Sequence, residues 1–207
     1  MQKEIKENTY ESINKKKLYF ILVVSIGYAV GGIITVIDVI WTNIFYNLNI
    51  RLNDFILHLI LFLIWGAIGG LVIGIATKKD KKLYMFLGGF GFAAGFIVAS
   101  PFWFVLPTMG GTGVIIGIIE GILLGFHYKK AKYIGIMAAC GAFGFGLGGI
   151  IEIMSFGMVF SNIGSDMVPV IRVILFMVTG LIGGASLGYG IYHIEKIASA
   201  GEAAHAD

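Results

Sequence analysis

The 207 residues are 57% hydrophobic and 13% charged, with a mean hydropathy of +0.90, a balance too apolar for a water-soluble domain of this length. The net charge of +3 comes from lysines confined to the ends of apolar runs, with no basic patch interleaved with aromatics; nucleic acid is excluded as a partner and the lipid bilayer is implied. A single cysteine, Cys140, rules out an intrachain disulfide and a cysteine-based metal cluster, and no cofactor, metal or catalytic constellation is expected.

In chain order, a polar tail (1–17) precedes the first apolar run. Lys15, Lys16 and Lys17 ahead of that run imitate a signal peptide, but the run has spanning length and lacks a clean small-x-small cleavage site, so it is expected to be retained. A spanning helix needs about 20 mostly apolar residues, and hydropathy predicts six: 18–41, 54–77, 83–100, 112–128, 133–156 and 168–193. They form one membrane domain over 18–193, followed by a second tail (194–207), and both tails are expected to be poorly ordered.

The lysines orient these spans. Thirteen of the 15 basic residues fall on one side, among them Lys78, Lys79, Lys81, Lys82, Lys129, Lys130 and Lys132, and only Arg51 and Arg172 fall on the other. The positive-inside rule then places both termini in the cytoplasm, with the cell membrane as the expected location. The links on the lysine side are tight turns. Those on the other side are longer, and one of them, 101–107, is aromatic and bounded by Pro101 and Pro107, as suits the membrane interface.

A threefold repeat runs through the spans. The even spans share a Gly-x-Ile-x-Gly frame that continues to a further glycine: Gly66, Gly70 and Gly74; Gly117, Gly121 and Gly125; Gly180, Gly184 and Gly188, offset by 51 and 63 residues. The odd spans share Gly-aromatic-x-x-Gly at Gly27-Tyr28 to Gly31, Gly91-Phe92 to Gly95 and Gly144-Phe145 to Gly148. Glycines four apart lie on one helix face and let two backbones approach, which matters where lipid supplies no hydrophobic drive. The predicted fold is therefore all-α: a polytopic membrane bundle of six transmembrane helices built as three repeated glycine-zipper hairpins (18–77, 83–128 and 133–193).

Only the middle copy replaces a glycine of the frame by an acid, Glu120, where the other copies have Gly69 and Gly183. Nine residues from Lys129, it lies roughly 14 Å deep, near the middle of a hydrocarbon core about 30 Å thick. An ionisable group there marks a functional site unless it serves only as a protonated packing bond. With glycines in the two matching positions, a shared axis would leave room for its carboxyl, which would hold a proton at rest and exchange it when water or a cation enters. Asp38, Glu152 and Arg172 sit near the opposite interface and are expected to flank a vestibule there, Arg172 pairing with Glu152 or Asp38; His58 at the same depth is read as packed or interfacial. Gly184-Ala185-Ser186-Leu187-Gly188 matches the GxSxG hydrolase pattern, but that motif needs a strand-turn-helix elbow and here it lies inside an apolar helix.

These features predict a small transporter or channel-like protein for an ion or small solute, with Glu120, Glu152, Asp38 and Arg172 as transport candidates. The rival is a non-catalytic structural or assembly subunit whose glycine faces dock other spans, either in a homo-oligomer or in a larger membrane complex. An enzyme comes third, for want of any nucleophile or metal constellation.

Overall fold

The structure, a computed structural model, describes residues 2–34, 36–37, 54–102, 109–160 and 167–203. These residues form six α-helices: α1 (Gln2–Ile33), α2 (Asp54–Thr77), α3 (Lys81–Ala99), α4 (Met109–Phe126), α5 (Ala131–Phe160) and α6 (Val168–Ala203), with a 3-10 turn at Ser100–Phe102 after α3. The fold is all-α, as the sequence predicts, and α2 occupies the residues expected of the second span. Asp38 and most of the three links away from the lysine turns lie outside the described residues.

Five helices contain stretches long and apolar enough to cross a membrane: Asn14–Ile33, Phe55–Thr77, Lys81–Ala99, Ala131–Glu152 and Val170–Ser199. The apolar part of α4 among the described residues, Gly111–Phe126, is shorter. Within the described residues the polar flanks are helical. Helix α1 begins at Gln2 and α6 runs to Ala203, so the polar flanks continue their helices; hydropathy locates apolar length, whereas Lys- and Glu-containing flanks are good helix formers. The outward faces suit lipid: Leu18, Leu22, Ile26 and Val30 on α1, Phe86 and Phe90 on α3, and Phe143 and Leu147 on α5 are all exposed, and such extended apolar surface belongs in a bilayer.

Each helix packs on its neighbours in chain order and α6 packs on α1, so the six close into a ring. The closest pairs are α2–α3, α4–α5 and α6–α1, and glycines explain why. A Cβ at Gly70 would strike the Tyr84 carbonyl, one at Gly66 the Gly88 carbonyl, and one at Gly74 would stand 2.8 Å from the Lys81 Cα. Likewise Gly117 lies against the Gly141 carbonyl, Gly121 against that of Met137, and Gly125 would bring a Cβ within 2.7 Å of the Ile134 Cα. On the third pair Gly180 meets the Tyr28 carbonyl, while Cβ atoms at Gly184 and Gly188 would stand 2.6 Å from the carbonyls of Val24 and Phe20. The closest approaches thus run across the lysine turns and between the chain's first and last helices, with the hairpins expected from hydropathy packed side by side.

Glycines on the odd helices make the remaining contacts. Gly31 abuts Trp65, Gly95 abuts Ile116 (2.6 Å to its Cα from a built Cβ) and Gly148 abuts Thr179 (2.8 Å). The lysine turns are short because Lys78 and Lys129 adopt left-handed backbone, φ 56° and 54°, a conformation that favours glycine at helix C-termini. Asp80 then caps α3, its carboxylate accepting from the amides of Lys82 (2.9 Å) and Leu83 (3.2 Å).

Candidate functional site

Inside the ring the chemistry is arranged in three layers. The middle layer is aromatic: the rings of Tyr28, Phe92 and Phe145 pack on one another, with centroids 5.8 Å (Tyr28–Phe92), 5.5 Å (Tyr28–Phe145) and 5.0 Å (Phe92–Phe145) apart. These are the aromatic positions of the three Gly-aromatic-x-x-Gly stretches, and all three are buried. The positions matching Glu120 accommodate two of the rings, since a Cβ at Gly69 would strike the Tyr28 ring and one at Gly183 the Phe145 ring. The space left by those glycines is thus filled by rings, whereas the sequence predicts the Glu120 carboxyl there.

Glu120 itself is fully buried (0% exposed). The Tyr28 hydroxyl donates a hydrogen bond to its Oε1, while Oε2 has no hydrogen-bond partner among the described residues. Trp65 fixes the same point from α2, its indole N–H donating to the Tyr28 carbonyl at 2.7 Å. Removing the phenol should therefore be felt: Tyr28→Phe leaves both Glu120 oxygens unpartnered and is expected to cost about 1–2 kcal/mol, read as a lower thermal-melting midpoint in detergent. An unchanged midpoint would mean that the pair contributes nothing to packing.

Above this layer, away from the lysine turns, lies a cavity of about 60 Å³. Phe92 and Phe145 line it from the aromatic layer, and Phe62, Trp65 and Phe176 also line it. Its polar groups are His58, Glu152, Arg172, Thr112 and Thr179. Glu152 and Arg172 therefore both line one chamber, and the Arg172 guanidinium lies 5.8 Å from the centre of the Phe176 ring; Asp38, the third residue expected beside them, lies outside the described residues. Glu152 is 3% exposed and its Oε1 has no hydrogen-bond partner among the described residues; the same holds for Thr179 Oγ1. His58 stacks on Phe96 at 6.2 Å and joins the chamber, a role its sequence context did not reveal.

At the lysine end two turns are joined to α6 through one carboxylate. Lys79, in the turn after α2, pairs with Glu195 of α6 at 2.7 Å. The Tyr128 hydroxyl, in the turn after α4, also reaches Glu195 (3.4 Å), and the Lys79 ammonium lies 4.1 Å over the Tyr128 ring. Burial pushes the Tyr128 hydroxyl well above the ordinary phenol range, so it remains a donor. Beside it His127 packs on Tyr84 at 4.8 Å and is held below the ordinary imidazole range, first by burial and then by the Lys79 charge. One carboxylate thus gathers three segments distant in sequence. Glu195 and Lys79 are both about one-third exposed or less (27% and 30%), so the pair adds little stability. In a Cys140→Ser background, a cysteine at buried Leu124, one turn from Glu120 toward this end, should react with a water-soluble thiol reagent faster when Glu195→Ala is added. Equal rates would show that the tie does not seal this end.

Ser186 has a packing partner: its hydroxyl donates to the Cys140 carbonyl at 2.7 Å across α5 and α6, consistent with its reading as a helix-face serine. Among the described residues no three His, Cys, Asp or Glu side chains gather as for a metal ion. The chain matches no protein-family model, no curated protein and no solved structure, so the functional reading rests on the chemistry of these three layers alone.

Proposed function

We propose that the protein is a six-span transporter or channel-like protein for an ion or small solute, in which Glu120 is the carboxyl that takes up and releases a proton or cation. The observation that carries this reading is the position of Glu120. It is fully buried and held by a single phenol, one aromatic layer below a chamber containing Glu152, Arg172 and His58. A carboxyl in such a place is costly and by default functional. The Glu195 tie at one end and the chamber at the other fit a protein whose path is closed on the lysine side.

The six spans are read as three equivalent glycine-zipper units around one axis. In support, Tyr28, Phe92 and Phe145 meet at the centre, while Trp65, Ile116 and Thr179, each directly before the first glycine of an even stripe, sit against Gly31, Gly95 and Gly148. The rival reading, a docking subunit, would leave the even stripes facing outward. Here every one of their nine glycines faces a helix of the same chain, which favours a self-contained bundle.

Two experiments test this. A cysteine introduced at Asp80, with Cys140→Ser, should label only from the cytoplasm, since the lysine turns are read as internal; labelling from outside would reverse the orientation. In reconstituted liposomes, at least one solute of a panel of small ions and polar molecules should cross with saturation and respond to a pH gradient. Rates equal to protein-free liposomes for every solute would overturn the transport reading.

A further inference from the structure

We infer that the chamber above the aromatic layer binds a small organic cation that carries N–H donors, of the methylammonium or guanidinium class, with Glu152 and Thr179 as its hydrogen-bond acceptors. The inference rests on the transport reading for its purpose, but its geometry stands separately.

Three observations point to that ligand. First, the walls are aromatic: Phe62, Trp65, Phe92, Phe145 and Phe176, and aromatic faces attract cations through the ring quadrupole. The protein already uses this chemistry at the chamber's edge, where the Arg172 guanidinium lies over the Phe176 ring. Second, two buried oxygens of the chamber are able to accept. Glu152 Oε1 and Thr179 Oγ1 both lack a hydrogen-bond partner among the described residues, although Glu152 is 3% and Thr179 7% exposed. A buried acceptor without a donor is costly, and a ligand bringing N–H groups would relieve both. Third, the size is restrictive. With about 15 Å³ of such space needed for one water-sized group, a chamber of about 60 Å³ takes about four non-hydrogen atoms. Methylammonium and guanidinium fall within that limit.

The charges are compatible with a cation. One guanidinium, Arg172, and one carboxyl, Glu152, line the chamber, so their formal charges balance. Tetramethylammonium keeps the attraction to the rings but has no N–H to offer Glu152 and Thr179 and exceeds the chamber's size limit, so it should bind more weakly on both counts. The Glu152 and Thr179 variants separate donor recognition from a simple aromatic cage.

Trp65 lines the chamber and provides the readout. With Trp41→Phe and Trp103→Phe, it is the sole tryptophan of the full-length chain. In detergent at constant ionic strength, millimolar guanidinium or methylammonium chloride should change its fluorescence saturably. Tetramethylammonium should bind at least fivefold more weakly, and sodium acetate should have no effect. Glu152→Gln should weaken guanidinium binding at least tenfold and Thr179→Val about threefold, with folding of each verified by circular dichroism and a monodisperse elution peak. Absence of a saturable change with either N–H cation in the folded parent protein would overturn the inference, as would an unchanged affinity in both variants or saturable binding of acetate instead. Because this assay reads binding without flux, a failure here leaves proton-linked transport standing, whereas cation binding without any flux would sink the transport reading alone.

Discussion

Gly117→Leu is expected to abolish the assembled bundle, while Gly135→Leu, on the facing helix, should leave it intact. The two glycines lie on α4 and α5, yet their surroundings are opposite. A Cβ at Gly117 would collide with the Gly141 carbonyl and approach the Ala142 amide nitrogen to 2.9 Å, all backbone atoms, whereas a Cβ at Gly135 meets nothing within 4 Å. Backbone cannot rotate away as a flexible side chain can, so α4 and α5 would have to separate and lose the dispersion contacts that hold helices together in lipid. Alanine at 117 should already cost about 1–3 kcal/mol, and leucine should exceed what the fold tolerates. At 135 either residue should be neutral, or stabilising by up to about 1 kcal/mol through helix propensity. Thermal melts followed by size-exclusion profiles in detergent distinguish these outcomes. A Gly117→Leu protein that melts and elutes like the wild type would mean that α4 and α5 do not approach as described.

The helices and the special position of Glu120 were largely legible in the sequence. The run from Asp54 to Thr77 is bounded by an acid and by Lys78, so hydropathy alone fixes α2. Depth arithmetic from Lys129 places Glu120 in the interior because an α-helix rises by a constant step, and it is fully buried. Its partner was not legible. Tyr28 lies 92 residues away, and the sequence marks it only as an aromatic beside Gly27. A signal was nonetheless present: of Tyr28, Phe92 and Phe145, only the first carries a hydroxyl, just as only one even stripe carries an acid. The tie at Glu195 was missed for a different reason. The lysines were read for their topological sign, and which of them finds a carboxylate depends on α6 closing beside the turn after α2. That closure is a property of the ring and not of any one segment. His58 was underread for the same cause, since its neighbours Glu152 and Arg172 come from α5 and α6.

Glu120→Gln carries the other large expected effect. Glutamine keeps the volume of the side chain and can still accept from the Tyr28 hydroxyl through its amide oxygen, so folding and melting should change little. It cannot take up or release a proton, and it presents no negative charge to an entering cation. If Glu120 serves only packing, the change should be nearly silent; if it is the working group, flux should fall with the fold intact. The direct measurement is proton-linked solute flux in liposomes containing matched amounts of wild-type and Glu120→Gln protein, with a pH gradient as the driving force and elution profiles as the folding control. Loss of at least nine-tenths of the wild-type rate in a correctly folded Glu120→Gln protein is the expected result, and flux equal to the wild type would contradict the assignment of Glu120 as the exchanging carboxyl.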